Sequence, residues 1–89
     1  MDYQWDEAKR SANLAKLGVD FTVLVAFEWG TAMIKLDMRQ AYGELRFRAL
    51  GLIQGGLYTL IFTGRGPRVR AISLRKASRK EKAEYEAAT

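Results

Sequence analysis

Residues 44–76 read ELRFRALGLIQGGLYTLIFTGRGPRVRAISLRK, and the reading of this stretch decides the fold. Residues 44–53 alternate, with Phe47, Ala49 and Ile53 on one side and Arg46 and Arg48 on the other. A period of two is the pattern of a strand with one buried face. Gln54-Gly55-Gly56 follows, a run that tolerates the positive φ a tight hairpin demands. Residues 57–63 are rich in β-formers and are expected to pair back antiparallel. Gly64-Arg65-Gly66-Pro67 makes the next turn, and residues 68–76 form a last strand with Ile72 and Leu74 on one face and Ser73 and Arg75 on the other.

The flanks complete the pattern. Upstream, residues 31–36 set Ala32, Ile34 and Leu36 against Thr31, Met33 and Lys35, again the period of a strand. Tyr3-Gln4-Trp5 reads as a short first strand. Asp6 is placed to cap a helix running to about Leu17, with Gly18 at the position that favours left-handed backbone. Asp20 can cap a second, shorter helix through Phe27. Downstream, Ser78-Arg79-Lys80-Glu81 is a capping box that opens a final helix to about Ala87. The expected order is β-α-α-β-β-β-β-α: an α+β fold in which helices cover one face of a largely antiparallel sheet. At 89 residues, 1–89 is expected to be a single domain.

Composition narrows the function. Apolar residues make up 48% of the chain, too many for wholesale disorder. No apolar run approaches the ~20 residues of a membrane span, and the acidic start of the chain is unlike a presequence. Cysteine is absent, so no disulfide is available, and a cytoplasmic location is expected. The net charge is +5 and is unevenly placed. Between Arg65 and Lys82 stand Arg65, Arg68, Arg70, Arg75, Lys76, Arg79, Lys80 and Lys82 against Glu81 alone. Such asymmetry fits a polyanion partner or a merely solvated basic surface, and the predominance of arginine favours phosphate, whose oxygens match the guanidinium fork.

Without histidine or cysteine there is no zinc site of ordinary spacing and no Ser–His or Cys–His nucleophile, and the carboxylates are too scattered for a metal constellation. What remains is arginine on strands. Alternation puts Arg46, Arg48, Ser73 and Arg75 on the face opposite the core, with Lys35, Thr59 and Thr63 beside them. A face left open and lined in this way suits a ribose-phosphate backbone. RNA cleavage by its own 2′-hydroxyl needs in-line geometry, stabilised phosphorane charge and proton movement. Arginine can supply the charge, and Glu44, Lys35, Tyr42 or Tyr85 the proton movement; spacing does not select among these. Arg65, in its glycine-flanked turn, is either a solvated turn residue or a phosphate contact, Lys76 is a further contact, and the other reading of Glu44 is an ion pair with a neighbouring arginine. Trp5, Phe21, Phe27, Tyr58 and Phe62 are expected to pack, and Trp29 either packs or meets a partner.

A set of spaced elements resembles the BrnT toxin family. They are Trp5-Asp6 with Lys9 and Asn13, Lys16-Leu17-Gly18 with Val19-Asp20-Phe21, Asp37 with Arg39, and Tyr42-Gly43-Glu44 with Arg46. Gly51, Thr63 with Arg65, and a closing block from Arg70-Ala71-Ile72-Ser73-Leu74-Arg75-Lys76-Ala77 to Glu81 and Tyr85 complete the set. The resemblance implies a RelE-like fold and a cytoplasmic, metal-independent endoribonuclease that needs no cofactor and blocks translation. It also implies a BrnA-like antitoxin of ribbon-helix-helix type, through which alone the complex would reach operator DNA. Arg39, Arg46, Arg75, Glu44, Lys35 and Tyr85 are the expected cleavage residues, with Arg46 and Arg75 on neighbouring strands or nearly so and converging on one phosphate, and Arg48, Arg65, Ser73 and Lys76 the expected RNA contacts. The chain departs from the family in having Leu17, Gln40 and Ala41 where histidine is usual. The alternative is a non-catalytic nucleic-acid-binding module, or a degenerate toxin that keeps only its antitoxin interface.

Overall fold

A computed structural model describes all 89 residues. The elements run β1 (Tyr3–Gln4), α1 (Glu7–Leu17), two 3₁₀ segments (Phe21–Ala26 and Trp29–Thr31), β2 (Met33–Leu36), β3 (Phe47–Ile53), β4 (Gly56–Arg65), β5 (Arg68–Lys76) and α2 (Arg79–Ala88). The class is α+β. The strands form one five-stranded sheet in the order β1-β5-β4-β3-β2, antiparallel except where β1 joins β5 in parallel.

Local chemistry sets the element ends. The Asp6 carboxylate accepts from the Lys9 amide and starts α1, and Gly18, at φ 71°, ends it by donating to the Leu14 carbonyl. Gln54 and Gly55 both take positive φ and close the β3–β4 hairpin. Both halves of the Ser78–Glu81 capping box are made. The expected second α-helix is instead 3₁₀, although Asp20 does cap it through the Thr22 amide. Its run of Val23, Val25 and neighbouring apolar residues is β-branched and short, a poor basis for an α-helix.

The core lies between the sheet and the segment formed by α1 and the 3₁₀ turns. Val19, Phe21, Leu24 and Phe27 pack there on Ala49, Ile53, Leu60, Ala71 and Leu74. Phe21 is fully buried, worth about 1.5–3 kcal/mol for a side chain of its size. Trp5 meets Phe21 edge-on, and Trp29 packs edge-on between Phe27 and Phe62, donating its indole N–H to the Tyr3 hydroxyl at 2.7 Å. Trp29 is therefore a packing residue. Asn13, buried on α1, ties that helix to β5: its amide nitrogen donates to the carbonyls of Val19 and Leu74, and its oxygen accepts from the Leu74 amide.

Two features change the opposite face of the sheet from what alternation predicts. The first is a bulge. Ile61 pairs with Ser73 but Phe62 pairs with Ala71, leaving Ile72 unopposed. The extra residue reverses the alternation of β5, so that Arg70 stands opposite Thr63 on the face away from the core. Strict alternation from Leu74 would have turned Arg70 inward. The second is the placement of α2. The helices do not share one face: Glu81 of α2 bonds the Thr59 hydroxyl at 2.9 Å, and Thr59 points away from the core. From there α2 crosses β4 and β3 toward β2, where the Tyr85 hydroxyl donates to the Thr31 carbonyl at 3.0 Å. The arginine face is partly roofed by a helix. The cause is polar, since α2 buries a carboxylate and carries no apolar stripe.

Candidate nucleic-acid interface

The face away from the core is built by register. Lys35 stands beside Arg48, Arg48 beside Ile61, and Ile61 beside Ser73; Leu50, Thr59 and Arg75 form the next row. Two residues further along β3, about 7 Å at strand rise, Arg46 leads into the strand on the same face.

At the α2 end the cations converge on one carboxylate. The Glu81 oxygens accept from Arg75 Nη1 at 2.6 Å and Nη2 at 3.0 Å, from Arg48 Nη1 at 3.3 Å, from Thr59 Oγ1 at 2.9 Å and from the Ser78 amide at 2.8 Å. Glu81 is 8% exposed. Burial pushes its carboxyl up, but the bonds from Arg75, Ser78 and Thr59 outweigh this and hold it at about 2. Arg48 also donates to Glu84, at 3.0 and 3.3 Å, and Lys35 Nζ reaches the same carboxylate at 3.0 Å.

The other end gathers residues from the irregular segment before β3. Asp37 accepts from Arg39 Nε at 2.8 Å, Arg39 Nη2 at 2.9 Å and the Tyr42 hydroxyl at 3.2 Å. The Arg39 guanidinium is the main reason the Asp37 carboxyl falls to about 2, and Asp37 in turn raises the pKa of Arg39. The Arg46 guanidinium lies 4.0 Å over the Tyr42 ring and touches Glu44 at 3.3 Å, while Arg65 reaches Glu44 at 3.0 Å. Arg65 is the chief cause of the lowered Glu44 pKa, so Glu44 is ionised at neutral pH. Arg70 has no carboxylate within salt-bridge distance.

The structure thus groups the residues singled out from sequence differently from the expectation. Arg46 and Arg75 do not share one spot: β4 lies between their strands, and their backbones are about 16 Å apart by strand rise and spacing. The pair that converges is Arg48 with Arg75. Arg39, Arg46, Glu44 and Arg65 form the second group. Lys35 and Tyr85 lie along the path of α2, and Ser73 is on the arginine face. Lys76 lies apart from both groups: it is an exposed residue lining a groove with Val25, Leu57 and Tyr58. Arg70, Glu81 and Glu84 also belong to this face, although none of them is among the site residues expected from the sequence. The clue to Glu81 is its isolation, one acid in a run of bases from Arg65 to Lys82.

Fold and site together define a small α+β protein with an arginine-lined sheet face suited to a polyanion. A family model described as “Ribonuclease toxin, BrnT, of type II toxin-antitoxin system” matches residues 5–81. The chain belongs to the BrnT toxin family. No curated protein matches it. No helix is long and apolar enough to cross a membrane.

Proposed function

We propose that this chain is an endoribonuclease that cuts single-stranded RNA on its arginine face, stops translation, and is silenced by a BrnA-like antitoxin of ribbon-helix-helix type covering that face. The observation that carries the reading is the run of Arg46, Arg48, Arg70 and Arg75 on one sheet face, with Glu44 ionised at its edge. Arg46, held by a 3.3 Å contact to Glu44 and seated 4.0 Å over the Tyr42 ring, keeps guanidinium N–H donors free for the phosphorane. Arg48 and Arg70 take neighbouring phosphates, Arg75 holds Glu81 beside them, and Arg39, Arg65, Ser73, Lys35 and Tyr85 border the track.

In this scheme Glu44 accepts the 2′-hydroxyl proton, O2′ attacks phosphorus, and the bond to O5′ breaks. The leaving oxygen takes a proton from solvent, giving a 2′,3′-cyclic phosphate and a 5′-hydroxyl end. No metal is assigned a part, because Asp37, Glu44, Glu81 and Glu84 are each engaged by arginine.

The test is incubation of purified chain with single-stranded RNA in EDTA. Cleavage to cyclic-phosphate ends is expected, falling about 10²–10³-fold in Arg46→Ala while the variant still melts as a folded protein. Intact RNA would overturn the reading. The second reading, a binder without turnover, is favoured by the neutralisation of Arg48 and Arg75 within the protein. It predicts retention of RNA in a gel shift with no cleavage.

A further inference from the structure

Glu81 and Glu84 both meet arginine on the sheet, but their settings differ. Glu81 belongs to the helix N-terminus, is buried, and has a hydroxyl and an amide to bond besides its arginines. Glu84 has no local reason for its place. It lies in the middle of α2, beyond the first turn, where a carboxylate gains nothing from the helix dipole. Its oxygens accept only from Arg48, at 3.0 and 3.3 Å, and Lys35, at 3.0 Å.

Beyond Glu81 no residue of α2 is buried, and Glu84 and Tyr85 are the two that are half-buried. The second half of the helix is therefore tethered by the Glu84 ion pairs and the Tyr85–Thr31 hydrogen bond. Lys35 is 57% exposed, and ion pairs in such a setting are weak.

We propose that Arg48 and Lys35 form a phosphodiester-binding site, and that Glu84 fills it in the free protein as an internal stand-in that the phosphate displaces. Carboxylate and phosphate present paired oxygens to the same guanidinium donors. Arg48 is also held by Glu81, so its fork stays aimed when Glu84 leaves. The second half of α2 then keeps only the Tyr85–Thr31 tether and loosens from the sheet. The inference rests on the RNA-cutting reading for the identity of the ligand.

The test measures binding of a non-cleavable 2′-O-methyl oligoribonucleotide by fluorescence anisotropy over a range of salt. Glu84→Gln is expected to bind about 2- to 5-fold tighter, the scale of a weak ion pair removed from competition. Its log–log salt slope should steepen by about 0.7, one additional phosphate contact. Lys35→Ala in the Glu84→Gln background should cancel the gain. Tyr85→Phe, which loosens the same half-helix without changing charge, should also tighten binding and decides the matter if Glu84→Gln unfolds. Equal or weaker binding in the folded variants overturns the site. A protein that shows the gain but leaves 2′-hydroxyl RNA intact keeps this site and loses the nuclease reading. One that cuts RNA but shows no gain does the reverse.

Discussion

The Arg75 guanidinium closes a two-pronged contact on Glu81, at 2.6 and 3.0 Å, beneath a carboxylate that is almost out of water. This changes what Arg75 is for. An arginine on a solvated strand face would be replaceable by alanine within roughly ±0.5 kcal/mol. Here truncation strands a buried carboxylate short of its closest donor. Arg75→Ala is therefore expected to lower stability by about 1–3 kcal/mol in urea unfolding. Arg46→Ala breaks a 3.3 Å contact with Glu44 and the cation–π contact with Tyr42 but strands no buried carboxylate, and should cost less, about 0.5–1 kcal/mol. Equal effects at the two positions would show that Glu81 does not depend on Arg75.

Acid should undo the same contact. The Glu81 carboxyl stands at about 2 against an ordinary 4.5, so the unfolded chain binds its proton more readily than the folded one. The stability it contributes is then complete above about pH 4.5 and disappears as pH falls toward 2. Asp37, also held at about 2, adds to the acid loss in wild type. Glu81→Gln isolates the Glu81 share. The variant should melt below wild type at pH 6, and the gap should narrow steadily down to pH 2. A gap that does not change with pH would place the stabilisation outside the charge on Glu81.

A third expectation concerns the core. Gly51 sits under the Phe27 ring so closely that an added Cβ would lie 2.3 Å from the ring tip and under 3.0 Å from both neighbouring atoms. Gly51→Ala should cost about 1–3 kcal/mol, the usual penalty of overpacking. Phe27→Leu in the same chain removes the ring atoms in question, so the two changes together should cost less than their sum. Thermal midpoints of the four proteins give the coupling, and strict additivity would refute the contact.

Much of the backbone was legible in the residues. The Asp6 and Ser78 caps, the left-handed Gly18 and the Gln54–Gly55 hairpin are local bargains between neighbours, and local chemistry predicts them. The bulge at Ile72 was not legible, because period-two reasoning is blind to one unpaired residue and assigns Arg70 to the wrong side. The face chosen by α2 was hidden for a different reason. A helix normally advertises its docking side by an apolar stripe, and this one docks through Glu81, Glu84 and Tyr85. The capping-box role of Glu81 was plain and concealed its second role across the sheet. As for the candidate site, residue types were readable on single strands, but their grouping depended on which strands are neighbours.

The parallel pairing of Tyr3 with Val69, and the hold of Asn13 on Leu74, join segments from nearly opposite parts of the sequence. Such contacts have high sequence separation, so the entropy of closing a long loop must be met before they reward the chain. As the polypeptide emerges during synthesis, β1 and α1 come first and have no β5 to dock on. The arginine strands follow, and Glu81, which fixes Arg75 and Arg48, comes later still. The ordered cationic surface therefore waits for Glu81. Any activity of that surface is confined to molecules in which α2 has been made and has docked.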